Sequence, residues 1–164
     1  ANVQILTKSR LVERDIDLFQ QFENIKVGVS MNTLDDEFAR TIEPRASKPK
    51  DRLKALQQIA EMGISTYVFV SPIFPKITDW MAIIDAARIF TNEFHFENLN
   101  FRSHNVPRIL RLIAETHPDL LSHFERIRKD PTMWDEMEEE IEERCGVMNL
   151  ICKIEFHHGG FTKS

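Results

Sequence analysis

The 164-residue chain is 42% hydrophobic and 29% charged, with a formal net charge of -5, a balance that fits one domain with a real core and excludes a disordered chain. No apolar run approaches the roughly 18 residues a membrane span needs, no N-terminal pattern reads as a signal peptide, and the acidic balance gives no basic footprint for nucleic acid, so the expected location is cytoplasmic. Five glycines contain neither GxGxxG nor GxxxxGK, and two cysteines, Cys145 and Cys152, make neither a disulfide framework nor, alone, a four-ligand zinc or iron–sulfur site.

Val3 to Thr7 reads as a strand directly after Ala1, with no initiator Met. A chain that begins inside a core strand is expected to be a cut piece of a longer protein. Leu11, Val12, Ile16, Phe19 and Phe22 then recur at helical spacing to about residue 23. Ile25 to Met31 reads as a buried strand. Thr33 is expected to cap a helix that opens with Asp35, Asp36 and Glu37, where the helix dipole favours acids. Pro49 starts a longer helix through Leu53, Leu56, Ile59 and Ala60, which Gly63 closes. Ile64 to Val70 is β-rich, with Pro72 and Pro75 expected to stop it. Thr78 is expected to cap a helix carrying Trp80, Ile83, Ile84 and Ala87.

Phe94 to Phe101 reads as the next strand. Three helices follow, opened near Asn105, Pro118 and Asp130-Pro131, and Asn149 to His157 reads as a final strand. Strands alternating with helices predict an α/β fold with mostly parallel strands. A complete (β/α)8 barrel takes about 250 residues, so about five strands make a partial TIM-type barrel. Residues 1–103 form the barrel segment in this reading, and residues 104–164 a helical C-terminal extension with a final strand, all one domain.

In such folds function gathers at the carboxyl ends of the strands. Here those ends read Thr7-Lys8-Ser9, Ser30-Met31-Asn32, Ser71-Pro72 and Asn98-Leu99-Asn100-Phe101-Arg102. Parallel strands would bring these four polar clusters to one rim, although loops are polar in any case.

These residues carry a resemblance. Thr7-Lys8-Ser9 with Leu11-Val12-Glu13-Arg14-Asp15, and Val27-Gly28-Val29-Ser30-Met31-Asn32-Thr33-Leu34-Asp35, resemble successive strands of radical S-adenosylmethionine (SAM) proteins of the spore photoproduct lyase-like branch. So do Glu43-Pro44-Arg45-Ala46, the helix with Arg52-Leu53-Lys54-Ala55-Leu56, and Val68-Phe69-Val70-Ser71-Pro72-Ile73-Phe74-Pro75. The match runs over about residues 3 to 80 and thins beyond 105. The resemblance implies a SAM-binding barrel whose [4Fe–4S] cluster is held by a Cys-x3-Cys-x2-Cys loop. That loop would lie upstream of the present sequence, and Cys145 and Cys152 have the wrong spacing and position to replace it. In the intact protein, the resemblance implies, the reduced cluster cleaves SAM to a 5′-deoxyadenosyl radical that abstracts hydrogen from a substrate. This chain alone is then expected to be inactive.

The rim's chemistry fits one part of a SAM site. A carboxylate is held by a fixed cation, and Lys8 and Arg45 are available. Ribose hydroxyls need short donor–acceptor side chains, which Ser30 and Asn32 provide. Backbone groups around Val70 and Ser71, beside Ile73, suit adenine. The resemblance implies the same roles for Lys8, Ser30 and Arg45, and with them Asn32. Bland readings stand beside these: Arg45 pairing with Glu43 or capping a helix, and Lys8 solvated. Asn100 and Arg102 are candidates to face substrate, or to satisfy their own irregular backbone.

The acidic run at Glu136, Glu138 to Glu140, Glu142 and Glu143 reads as a solvated helix face. Cys145, Cys152, His157 and His158 can be drawn as a metal set, but Cys145 falls on an apolar stripe, and no metal site is assigned. The rival to a SAM-enzyme fragment is a self-contained α/β binding module. A half barrel leaves its first strand with a free hydrophobic edge, to be paired with another copy or covered by the C-terminal helices.

Overall fold

The computed structural model describes residues 2–130, 132–158 and 161–162. Five strands form one sheet: β1 (Val3–Thr7), β2 (Ile25–Met31), β3 (Ser65–Ile73), β4 (Glu93–Asn98) and β5 (Ile151–Ile154). They lie in the order β1-β2-β3-β4-β5 and every neighbouring pair is parallel. Strand order that follows chain order without reversal is barrel winding, not the doubly wound kind. The fold is therefore α/β, part of a TIM-type barrel, as the alternation of periods predicts. A two-stranded antiparallel sheet, β6 (His157–His158) with β7 (Phe161–Thr162), follows β5.

Side chains of a strand alternate between faces. Val27 and Val29 of β2, Val68 and Val70 of β3, and Phe94 and Phe96 of β4 turn to one face, where they are fully buried in the apolar core. The helices α3 (Pro49–Glu61) and α4 (Trp80–Ala87) cover that face with Leu56, Ile59, Ile83, Ile84 and Ala87. The other face is the barrel interior, and there Ser30, Tyr67, Phe69, Ser71, Glu93, His95 and Glu97 are polar or aromatic, with Gly28 opposite Tyr67 and the aliphatic Leu6 and Ile151 on the outer strands. Registers Gly28↔Tyr67, Ser30↔Phe69 and Phe69↔His95 stack them in layers across the sheet.

Local chemistry moves several boundaries. The helix expected to about residue 23 is a 3-10 segment, Arg10–Asp15, followed by the short α1 (Ile16–Phe19); Val12 and Phe19 are buried, whereas Leu11, Leu18 and Phe22 are exposed. The cap of α2 (Asp36–Ile42) is Asp35, not Thr33: Asp35 Oδ1 accepts from the backbone N–H groups of Glu37 and Phe38 at 2.7 and 3.0 Å. Thr33 instead accepts from the N–H of Asp35 at 3.0 Å. The cap of α4 is likewise Asp79, while the Thr78 hydroxyl accepts from the N–H of Phe74. Pro72 does not stop β3, because the register shifts between Val70 and Ile73 and the ladder resumes at Ile73↔Asn98. Gly63, at φ 75°, closes α3 as the sequence predicts.

The C-terminal helices α5 (Val106–Thr116), α6 (Leu121–Lys129) and α7 (Thr132–Val147) add Ile113, Phe124, Ile127, Trp134 and Ile141 to the main core. They do not reach the smaller cluster beneath β1, which is built from Val12, Phe19, Val27, Ala55, Ile59 and Ile64. Among the described residues these helices make no extensive contact with β1, whose outer edge they leave uncovered. Cys145 of α7 and Cys152 of β5, too few for a disulfide framework, are nonetheless joined as a single disulfide with Cα atoms 6.4 Å apart. They stand seven positions apart in the sequence, but the chain reverses between α7 and β5 and brings them together.

Candidate functional site

The carboxyl ends of β1 to β4 lie side by side, so the expected rim exists. Its organising group is the Glu43 carboxylate, just past the end of α2. Arg52 of α3 donates to Glu43 Oε2 at 2.6 Å, and Lys8, just past β1, donates to Oε1 at the same distance. The Asn32 amide donates to Oε1 at 3.4 Å. Arg52 is only 2% exposed and spends its other donors on backbone carbonyls: Nη1 to Ser30 and Nε to Ser47, each at 2.7 Å. One guanidinium therefore ties the end of β2, the loop before α3 and Glu43 into a single unit. A buried cation with three fixed acceptors is held by geometry as much as by charge.

Charge at this unit does not cancel. Arg52 neutralises Glu43, and Lys8, 48% exposed on its side chain, is the surplus cation at the surface. Ser30 and Asn32 are buried beside it, each with a single long side-chain bond of 3.4 Å, Ser30 Oγ to the Ser71 carbonyl and Asn32 to Glu43. Bonds of that length are weak, so both groups retain capacity for a ligand. The Ser71 hydroxyl donates to Glu97 Oε2, and His157 Nε2 lies 3.0 Å from Glu97 Oε1.

The sequence candidates divide accordingly. Lys8, Ser30, Asn32 and Ser71 come together on the rim. Arg45 is exposed on the loop between α2 and α3, and it is not the partner of Glu43. The guanidinium that meets Glu43 is Arg52, which sequence reasoning missed. A signal existed: Arg52 sits with Pro49, Ala55, Leu56 and Ile59 on the buried stripe of α3, and an arginine in an apolar stripe needs a buried partner. Asn100 lines a cleft of about 530 Å³ between the ends of β3 and β4, α2 and α5. Arg102 is exposed and absent from that lining, and its carbonyl accepts from Asn105 and Val106 at the start of α5.

Deeper on the interior face, Glu93 gathers Lys26, His95 and Lys153, with His95 Nε2 at 2.7 Å and Lys153 Nζ at 3.0 Å. Burial pushes the Glu93 carboxyl up, but hydrogen bonds from Lys26, His95 and Lys153 outweigh it and hold the group at about 2. The Tyr67 ring stacks on His95 with centroids 4.7 Å apart, and burial raises its phenol.

Comparison with known proteins fits this picture. The family model of the radical SAM superfamily matches residues 1–89. The chain belongs to the radical SAM superfamily. An uncharacterized protein of Methanocaldococcus jannaschii is 42% identical over 103 residues, which cover 63% of this chain and 40% of that protein. An uncharacterized protein of Acidianus two-tailed virus is 44% identical over 120 residues, covering 68% of this chain and 40% of its own length. The chain thus spans about 40% of the length of the curated relatives it matches. A solved spore photoproduct lyase complexed with dinucleoside spore photoproduct aligns over 71% of this chain and 35% of that one, with a TM-score of 0.49 and 19% identity.

The family implies SAM and an iron–sulfur cluster. For SAM the donor set fits: a surplus cation, a hydroxyl and an amide with spare capacity, all at strand ends. For the cluster it does not. Among the described residues no three His, Cys, Asp or Glu side chains are grouped to hold a metal. Cys145 and Cys152 are bonded to each other, and Cys152 stands beside Phe94, near the amino end of the sheet and away from the rim. His157 is engaged with Glu97, and the His158 side chain lies outside the described part. Among the described residues no helix is long and apolar enough to cross a membrane.

Proposed function

We propose that this chain supplies the SAM-binding rim of a radical SAM enzyme of the spore photoproduct lyase-like branch. The observation that carries the reading is the Lys8–Glu43–Arg52 unit, with its surplus positive charge beside Ser30 and Asn32. Lys8, joined by the exposed Arg45, holds the SAM carboxylate. Ser30 and Asn32 take the ribose hydroxyls, and the backbone about Val70 and Ser71 takes the adenine edge. Glu43 and Arg52 fix the end of β2, so that these groups are set before the ligand arrives. Bound SAM supplies the 5′-deoxyadenosyl group on which the family's chemistry depends.

The cluster ligands belong, in this reading, to a part of a longer protein, which the coverage of the relatives supports. Catalysis is accordingly assigned to that longer protein and not to these residues alone. Branch membership rests on the Lys8, Ser30 to Asp35 and Glu43 to Ala46 motifs. A cytoplasmic location belongs to the same proposal, and the Cys145–Cys152 disulfide is its test, since such bonds are rare in that compartment outside hyperthermophiles. Thiol labelling of protein taken directly from cells would find both cysteines free if the cytoplasm reduces them.

Equilibrium dialysis with radiolabelled SAM tests the binding roles. Lys8→Met and Arg45→Ala each remove a charge-assisted contact, and are expected to weaken binding by roughly tenfold. Unchanged affinity in both variants would contradict the reading.

A further inference from the structure

The cleft of about 530 Å³ beside the rim is lined, Ser71 apart, by residues to which no SAM contact is assigned. Its volume falls within the roughly 300–1,000 Å³ common to small-molecule sites. Ile42, Phe74, Leu99, Ile109 and Leu112 make an apolar wall. Along α5, Arg108 and Arg111 both line the cleft, three residues apart and hence on one face of the helix. No hydrogen bond or ion pair among the described residues engages either guanidinium. Neither acid of the lining is ion-paired with them: Glu97 is engaged with the Ser71 hydroxyl and His157, and Glu115 lies one turn beyond Arg111 along α5. Asn105 adds an amide that makes no side-chain cap bond to its own helix.

We propose that this cleft is the substrate site, and that it takes a small organic acid, a carboxylate or phosphate ester on an apolar or aromatic body. The paired guanidiniums of Arg108 and Arg111 grip the anionic group, since forked donors match carboxylate and phosphate oxygens. The apolar wall covers the body of the molecule. Ser71 borders both the cleft and Ser30, so a ligand seated there lies next to the rim assigned to SAM. The substrate role rests on the proposed SAM site; the binding of the acid does not.

The test is fluorescence titration of the full chain, without SAM, using 1-naphthyl phosphate, 1-naphthaleneacetate and the uncharged 1-naphthol. At least one of the two acids is expected to bind tenfold or more tightly than 1-naphthol, and the tighter acid tells phosphate from carboxylate. The double variant Arg108→Gln/Arg111→Gln is expected to lose at least tenfold in affinity for that acid while binding 1-naphthol as before. Arg102→Gln, outside the cleft, leaves both unchanged. Equal binding of acids and 1-naphthol, or an acid affinity unmoved by the double variant, overturns the proposal. So does an equal loss in Arg102→Gln. Acid binding retained by a chain that takes up no SAM upholds the cleft and contradicts the SAM reading instead.

Discussion

Arg52 Nη2 meets Glu43 Oε2 at 2.6 Å with the arginine all but withdrawn from solvent, and the same guanidinium holds the Ser30 carbonyl at 2.7 Å. The shape of the rim therefore hangs on one buried ion pair. Removing one partner strands the other charge, which costs about 3–5 kcal/mol in comparable cases. Arg52→Met is expected to lose stability on that scale in urea unfolding. Glu43→Gln is expected to lose less, because Arg52 keeps its two backbone acceptors. A loss below about 1 kcal/mol for Arg52→Met would mean that the pair is not what fixes the rim.

Gly28 and Tyr67 oppose each other across β2 and β3, and a Cβ on residue 28 would stand well inside van der Waals contact of three ring carbons. The ring cannot simply withdraw, since His95 stacks on its far side and its hydroxyl donates to the Ile5 carbonyl at 3.1 Å. Gly28→Ala is expected to cost about 1–3 kcal/mol by overpacking. On a Tyr67→Val background the cost should largely vanish, and an equal cost there would place the strain elsewhere.

Much of this architecture is legible in the amino-acid sequence, and the exceptions have physical causes. The bounds of β1 and β2 follow from short β-rich runs, and α3 from Pro49 and Gly63. Thr33 and Thr78 mislead because aspartates two residues and one residue further on present a better-placed oxygen to the first-turn N–H groups. The paired cysteines escape notice because their approach depends on where β5 docks, which spacing alone does not determine. At the site, Lys8, Ser30, Asn32 and Ser71 are found from strand ends. Arg52 is not, because its partners come from three separate segments whose meeting is a tertiary fact.

Glu93 gives the fold an acid limit. Its carboxyl sits at about 2 against an ordinary 4.5. The unfolded chain thus takes up the proton first, and the stabilisation, on the order of 3 kcal/mol, is complete above the ordinary value and lost as pH falls toward 2. Urea unfolding of the wild type and Glu93→Gln should show a gap at neutral pH that closes through this window. A gap that is independent of pH would remove Glu93 from the account of acid stability.

Leu6 of β1 is exposed, as are Leu11, Leu18 and Phe22 in the segment that follows that edge strand. In isolation the chain is expected to self-associate through it, so gel filtration should give a concentration-dependent apparent mass above the 19.2 kDa monomer. Leu6→Lys should restore the monomer. Ile89→Lys, at a 77% exposed position after α4, should not. A wild-type monomer at every concentration would contradict pairing at this edge.

Binding of SAM at the rim is tested by an NMR titration of the isotope-labelled chain with SAM. Saturable amide shifts are expected at Lys8, residues 30 to 32 and residues 70 to 71, with the shifts abolished or their affinity lowered at least tenfold in Ser30→Ala/Asn32→Ala. Saturable shifts confined to the opposite end of the sheet, or none at all, would contradict it.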